Sequence, residues 1–192
     1  MNLPKIILIH GNGGGTGTDH WFPSVKKQLE QDGFKVIAET MPDNVLARQN
    51  QWLPFLKNIL QADENTIIVG HSSGAVAAMR YAEDNKLYGS ILIGACYTDL
   101  GEESETVSGY YDRPWQWDKI KENQNWIVQF ASTDDPYIDI SEAQHIHEML
   151  DTEYTETTSM GHYGSDLKEM LEFPEIVDII NQKVKLKSTD SH

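Results

Sequence analysis

Gly70-His71-Ser72-Ser73-Gly74 constrains this chain more than any other stretch. The β-type run Thr66-Ile67-Ile68-Val69 leads into it, and the helix-forming run from Ala75 to Ala82 follows. Strand, G-x-S-x-G, helix is the pattern of a nucleophile elbow. A turn that sharp leaves no room for side chains on its flanks, hence Gly70 and Gly74. It puts Ser72 at the tip and the Ser73 backbone N–H at a helix N-terminus. Unpaired N–H groups and the helix dipole favour a negative oxygen there. The competing reading is a Gly/Ser loop in which Ser72 or Ser73 caps an ordinary helix.

The rest of the chain fits a sheet built around such an elbow. Lys5 to His10 reads as a buried strand, and so do Phe34 to Ala38, Asn65 to Val69, Leu87 to Gly94 and Trp126 to Phe130. Asp151 to Thr157 is a weaker strand candidate. Helices are expected over Trp21 to Glu30 (capped by Thr18 or Asp19), Asn44 to Leu60, Gly74 to Asp84, Asp139 to Leu150 and Phe173 to Val184. Strands alternating with helices imply βαβ units, a parallel sheet and helices on both faces. The 192 residues suit one domain, with a frayed tail over 185–192.

Charge and composition exclude several classes. The formal net charge is −15 and no Lys/Arg cluster supplies a basic face, which argues against nucleic-acid binding. The acid excess favours neutral or cationic substrates. Cys96 is the single cysteine, so an internal disulfide and a cysteine-based zinc site are out. It reads as a small buried residue at a strand end. The N-terminal apolar run is too short for a signal peptide, and no window reaches transmembrane length. A cytoplasmic location is the expectation.

A serine nucleophile needs a base, and the base needs a carboxylate. On this type of fold they follow in the order Ser, acid, His. After Ser72, and leaving out the terminal His192, the histidines are His145, His147 and His162. His145 and His147 lie in a helical run at a spacing that does not share one face, so they are not a metal pair. His162 sits in a glycine-flanked loop after the last strand candidate, where a base belongs. The acid should follow the Trp126 to Phe130 strand, where both Asp134 and Asp135 occur. Spacing does not choose between them.

The loop Gly11 to Gly17 matches neither phosphate-binding glycine fingerprint. It fits an oxyanion loop, with Asn12 or Gly13 offering a backbone N–H alongside that of Ser73. The segment Tyr97 to Asp118 breaks the strand–helix rhythm and is rich in aromatics. It reads either as a short lid or as packing at the sheet edge. The lid reading makes Tyr110, Tyr111, Trp115 and Trp117 an apolar pocket wall beside Ser72.

With these residues in view, the chain resembles the compact serine hydrolases of the retinoblastoma-binding protein 9 type, over about Lys5 to Val184. The resemblance rests on Gly11-Asn12-Gly13-Gly14-Gly15, Met41-Pro42-Asp43, Trp52-Leu53-Pro54-Phe55 and the elbow with Ala75. It continues in Ala78-Met79-Arg80-Tyr81-Ala82, Arg113-Pro114-Trp115-Gln116-Trp117, Ser132-Thr133-Asp134-Asp135-Pro136 and Gly161-His162. It implies a single-domain α/β-hydrolase with a minimal lid, Ser72 as nucleophile, Asp135 as acid and His162 as base. It implies hydrolysis of small esters or amides, with no metal or organic cofactor. A protein-binding module on a hydrolase scaffold and an acyltransferase are the alternatives. One departure bears on partners. Where the namesake has Leu-x-Cys-x-Glu, suited to retinoblastoma-type pocket proteins, this chain has Leu60-Gln61-Ala62-Asp63-Glu64, with Ala62 for the cysteine.

Overall fold

A computed structural model describes residues 3–166 and 169–189, with side chains described through Lys185 in the final helix. Six strands form one sheet: β1 (Lys5–Ile9), β2 (Val36–Ile37), β3 (Thr66–His71), β4 (Gly89–Ile93), β5 (Ile127–Ser132) and β6 (Glu153–Thr157). Their spatial order is β2-β1-β3-β4-β5-β6, and every pairing is parallel. Parallel strands need long crossovers, which the helices between them supply, with one more helix after the last strand. The helices are α1 (Phe22–Gln31), α2 (Gln49–Pro54), α3 (Ser73–Asp84), α4 (Glu103–Thr106), α5 (Trp117–Glu122), α6 (Ile140–Leu150) and α7 (Pro174–Thr189).

Strand residues alternate between two cores, as a period of two requires. Ile6 and Leu8 face α1 and α7, packing with Trp21, Phe22, Leu29, Phe173 and Ile176. Ile7 and Ile9 face the other layer, with Trp52 of α2, Val76 of α3, Ile120 of α5 and Ile146 of α6. Both faces are covered, so β1, β3 and β4 read as largely apolar runs, while the edge strand β6 (EYTET) stays polar. Among the described residues no helix is long and apolar enough to cross a membrane.

Several expected elements are shorter. The helix expected from Asn44 starts at Gln49, because Asp43 and Ala47 both hold positive φ of 51°. The Asn44 side chain instead donates to the Gly15 carbonyl at 2.9 Å. Past Pro54 the helix loosens into a π turn over Phe55–Ile59. The second strand shrinks to two residues. Asp19 does not cap α1; its carboxylate accepts from Thr16 within the preceding loop. At the C-terminus α7 runs to Thr189, past the start of the expected frayed tail, and 190–192 lie outside the described residues.

Candidate active site

The chain order places the crossover switch between β1 and β3, so the loops leaving their carboxyl ends meet at one crevice. The β3 loop is the elbow. Ser72 holds φ 55° and ψ −122°, a conformation L-residues rarely adopt. Its N–H donates to the Ile93 carbonyl at 2.8 Å, and its carbonyl accepts from Ala75 at 2.9 Å. A Cβ at Gly74 would fall 2.3 Å from the Ile9 carbonyl oxygen, and one at Gly70 would fall 2.3 Å from that of Gly74. Backbone cannot yield there, so both positions require glycine. Gly11 also lies against the serine: a Cβ on it would sit 3.1 Å from Ser72 Cβ.

His162 reaches the same crevice from the loop after β6. Its Nδ1 lies 2.6 Å from Asp135 Oδ2, with both side chains almost fully buried. The other Asp135 oxygen accepts from the N–H groups of Tyr137 and Ile138 at 2.9 and 3.1 Å. Asp134 points elsewhere. Its Oδ1 accepts from Ser132 Oγ at 2.6 Å and from Gly161 N–H at 2.9 Å, tying the β5 loop to the His162 loop. Of the two carboxylates, Asp135 meets the imidazole and Asp134 braces its loop. Ser72 and His162 both line a cavity of about 850 Å³. Ser72 Oγ makes no hydrogen bond among the described residues.

Asn12, Gly13 and Ser73 line the same cavity. The Gly13 N–H is committed to the Val45 carbonyl at 3.0 Å, which removes Gly13 from the two oxyanion candidates. Among the described residues the Asn12 and Ser73 N–H groups donate to no carbonyl.

The aromatic wall is a correction. Tyr110, Tyr111, Trp115 and Trp117 do not line the cavity. Tyr110 is fully buried in the core beneath α3, and the others pack against that core. The reason is Arg80, buried on α3 with its guanidinium 3.6 Å from the centre of the Trp115 ring. Arg80 donates to the carbonyls of Tyr110, Arg113 and Pro114, and pairs with buried Glu83 at 2.6 Å. Trp115 stacks on Trp117 at 5.4 Å and donates to the Tyr97 carbonyl at 2.8 Å. A buried cation needs such satisfaction, and the segment folds inward to provide it. Trp115→Ala is therefore expected to cost about 3 kcal/mol of stability by denaturant unfolding. Acyl selectivity, measured as relative kcat/KM on short and long esters, should stay as in the wild type.

Three supporting groups carry no sequence signature. His71, inside the elbow, donates through Nε2–H to the His162 carbonyl at 2.9 Å and packs against its ring at 4.8 Å. His10 accepts from Met41 N–H at 2.9 Å and donates from Nδ1 to the Gly11 carbonyl at 2.7 Å, fixing its tautomer. The Asp166 carboxylate accepts from the His162 N–H at 2.7 Å. The helical histidines are elsewhere: His145 stacks on Tyr97 and His147 on Tyr154.

Burial, then the nearby His162, holds the His71 pKa well below its usual 6.5, and burial lowers that of His10 as well. Each therefore takes up a proton less readily in the fold than in the unfolded chain, where the value is near 6.5. Their contribution to stability is complete above that pH and is lost as pH falls below it. Denaturant unfolding followed from about pH 8 to about pH 5 should show this decline. It should be shallower in His71→Gln, which keeps a donor and loses the titration.

A doubly covered parallel sheet, with a serine elbow after β3 and a histidine loop after β6, is the α/β-hydrolase fold. The chain belongs to the serine hydrolase family, which matches residues 6–182. It is 47% identical over 178 residues to Serine hydrolase RBBP9 of Rattus norvegicus, across 92% of this chain and 93% of that protein. The structure of the ydeN gene product from B. subtilis has a TM-score of 0.83 at 26% identity, covering 95% of this chain and 99% of that one. Est1E from Butyrivibrio proteoclasticus, solved with ferulic acid bound, has a TM-score of 0.70. Its identity is 12%, over 97% of this chain and 88% of that one, a likeness of fold alone.

Proposed function

We propose that this serine hydrolase cleaves small esters or amides through an acyl-enzyme on Ser72. The observation that carries the reading is the 2.6 Å His162–Asp135 contact, made by a histidine that shares its cavity with Ser72. The Asp135 carboxylate accepts a hydrogen bond from Nδ1–H, which leaves the lone pair on Nε2 for the serine. Ser72 Oγ attacks the carbonyl carbon as its proton passes to Nε2. The carbonyl π electrons become an oxyanion between the Asn12 and Ser73 N–H groups. Collapse expels the alcohol or amine, which leaves with the proton from His162. Water then attacks the ester, giving its proton to His162, and the second collapse frees the acid and returns the proton to Ser72. The fluorophosphonate test is direct. One covalent adduct, on Ser72, is expected, and labelling elsewhere or not at all would remove the reading.

The cavity is of a size for small ligands. Its charged walls are Asp19, Glu102, Glu105 and Asp166, and neither lysine nor arginine lines it among the described residues. A negative acyl group should enter poorly. For esters sharing one leaving group, kcat/KM is expected to be at least about ten-fold lower for a succinyl half-ester than for acetyl, narrowing as salt is added. Equal values would mean that the acidic walls do not face the acyl group.

The stretch in the place of the partner motif argues against peptide-style display. Leu60 and Ala62 are buried, and Tyr81 donates to the Ala62 carbonyl at 2.7 Å. A pocket protein reading those side chains would first have to unfold the turn.

A further inference from the structure

The oxyanion loop is held from across the cavity by a carboxylate that plays no part in the mechanism above. Glu105 lies on the one-turn helix α4, half-buried at the cavity wall. Its Oε1 accepts from Asn12 Nδ2 at 2.6 Å. Its Oε2 accepts from the Tyr111 hydroxyl at 3.1 Å, and that hydroxyl lies 3.1 Å from Cys96 Sγ. The helix carrying Glu105 is itself anchored. Ser108 Oγ donates to the Glu105 carbonyl at 2.6 Å, and the Ser108 carbonyl accepts from the Gln49 N–H at 2.9 Å. Glu105 is thus fixed on one side by the core and α2, and on the other it grips the loop after β1.

That loop needs a grip. Gly13 and Gly14 adopt positive φ and are exposed, and glycine-rich backbone has many alternatives to the shape seen. His10 fixes the Gly11 carbonyl and Val45 fixes the Gly13 N–H. Between them, the Asn12 side chain is held only by Glu105 among the described residues. A hydrogen bond to an ionised acceptor is among the stronger ones, and it lasts only while the acceptor stays put. Burial raises the Glu105 pKa, and its two donors favour the ionised form.

We infer that Glu105 is a positioning residue: through Asn12 it holds the β1 loop so that the Asn12 N–H points at the developing oxyanion, making oxyanion stabilisation depend on the segment after β4. The inference rests on the Ser72 acyl-enzyme reading. It assigns Glu105 no contact with the reacting atoms. Asn12 contributes its backbone N–H, which a side-chain truncation leaves in place, so truncation isolates the clamp.

The test compares fluorophosphonate inactivation of wild type, Glu105→Ala, Asn12→Ala, the double variant and Glu105→Gln. Rates are taken per labelled serine, so that misfolded protein does not count. The phosphoryl oxygen of the probe occupies the oxyanion position, so kinact reports the loop while KI reports binding. Each alanine variant is expected to lose about ten- to hundred-fold in kinact with KI nearly unchanged. The double variant should lose no more than the worse single, because both remove one contact. Glu105→Gln keeps an acceptor for Asn12 and should return kinact to within about three-fold of wild type. An unchanged kinact in Glu105→Ala, losses that multiply in the double variant, or a Gln variant no better than the Ala variant would each overturn the clamp. If wild type takes no label at Ser72, the hydrolase reading fails and the clamp falls with it. Label at Ser72 with any of the three contrary results removes the clamp alone.

Discussion

Ser72→Ala should abolish both hydrolysis and probe labelling, with turnover falling by as much as roughly a million-fold. The fold should not notice. The backbone bonds of residue 72 to Ile93 and Ala75 do not involve the hydroxyl, and alanine is no more strained than serine at this positive φ. Melting curves of the two proteins should nearly superimpose. Ser73→Ala is the natural control, since Ser73 contributes a backbone N–H that alanine retains, and its buried hydroxyl has no partner among the described residues. Near-normal turnover in Ser72→Ala, or a greater loss from Ser73→Ala, would refute the mechanism.

Asp135→Asn should cost as much as about 10⁴-fold in kcat. Its amide can present an N–H to His162 Nδ1, which then serves as acceptor and moves the imidazole proton to Nε2. A protonated Nε2 cannot accept from Ser72. The size of the loss follows from the tautomer, since asparagine fills the same space and can keep accepting from Tyr137 and Ile138. Asp134→Asn should cost under about ten-fold in kcat, because its amide oxygen can still receive Ser132 and Gly161. Comparable losses from the two variants would show that Asp135 does not set the tautomer.

The elbow and the serine were legible in the sequence because they follow from contacts of the backbone with itself. Gly70 and Gly74 are demanded by carbonyls a little over 2 Å from where a Cβ would be, whatever the rest of the protein does. The carboxylate that meets His162 was legible only to a loop. Asp134 and Asp135 are adjacent, and which one faces His162 depends on how Ser132 and Gly161 claim the first. The aromatic segment misled because sequence shows where a side chain leaves the chain, not which way it turns. The attractor was Arg80, one basic residue in an alanine-rich helix, whose need for partners pulled Trp115 onto it and away from the cavity. Asn44 likewise looked like a helix start and instead supports the Gly15 carbonyl. Glu105 gave no signal at all, since an acidic residue in a polar stretch looks the same whether it faces water or holds a loop.

The six strands are all parallel, and Ser72, Asp135 and His162, proposed to act together, come from the ends of three of them, β3, β5 and β6. This has a consequence for synthesis. A ribosome releases Ser72 and its elbow long before His162. In the mechanism proposed above, the serine has no base until the β6 loop emerges. Trp21, far upstream, donates to the Tyr163 carbonyl at 3.0 Å, and α7 packs beside α1, so the beginning of the chain must wait for its end. Long-range parallel pairing of this kind closes slowly. On that mechanism a growing chain is kept chemically silent, and appearance of turnover would mark the moment the whole domain has closed.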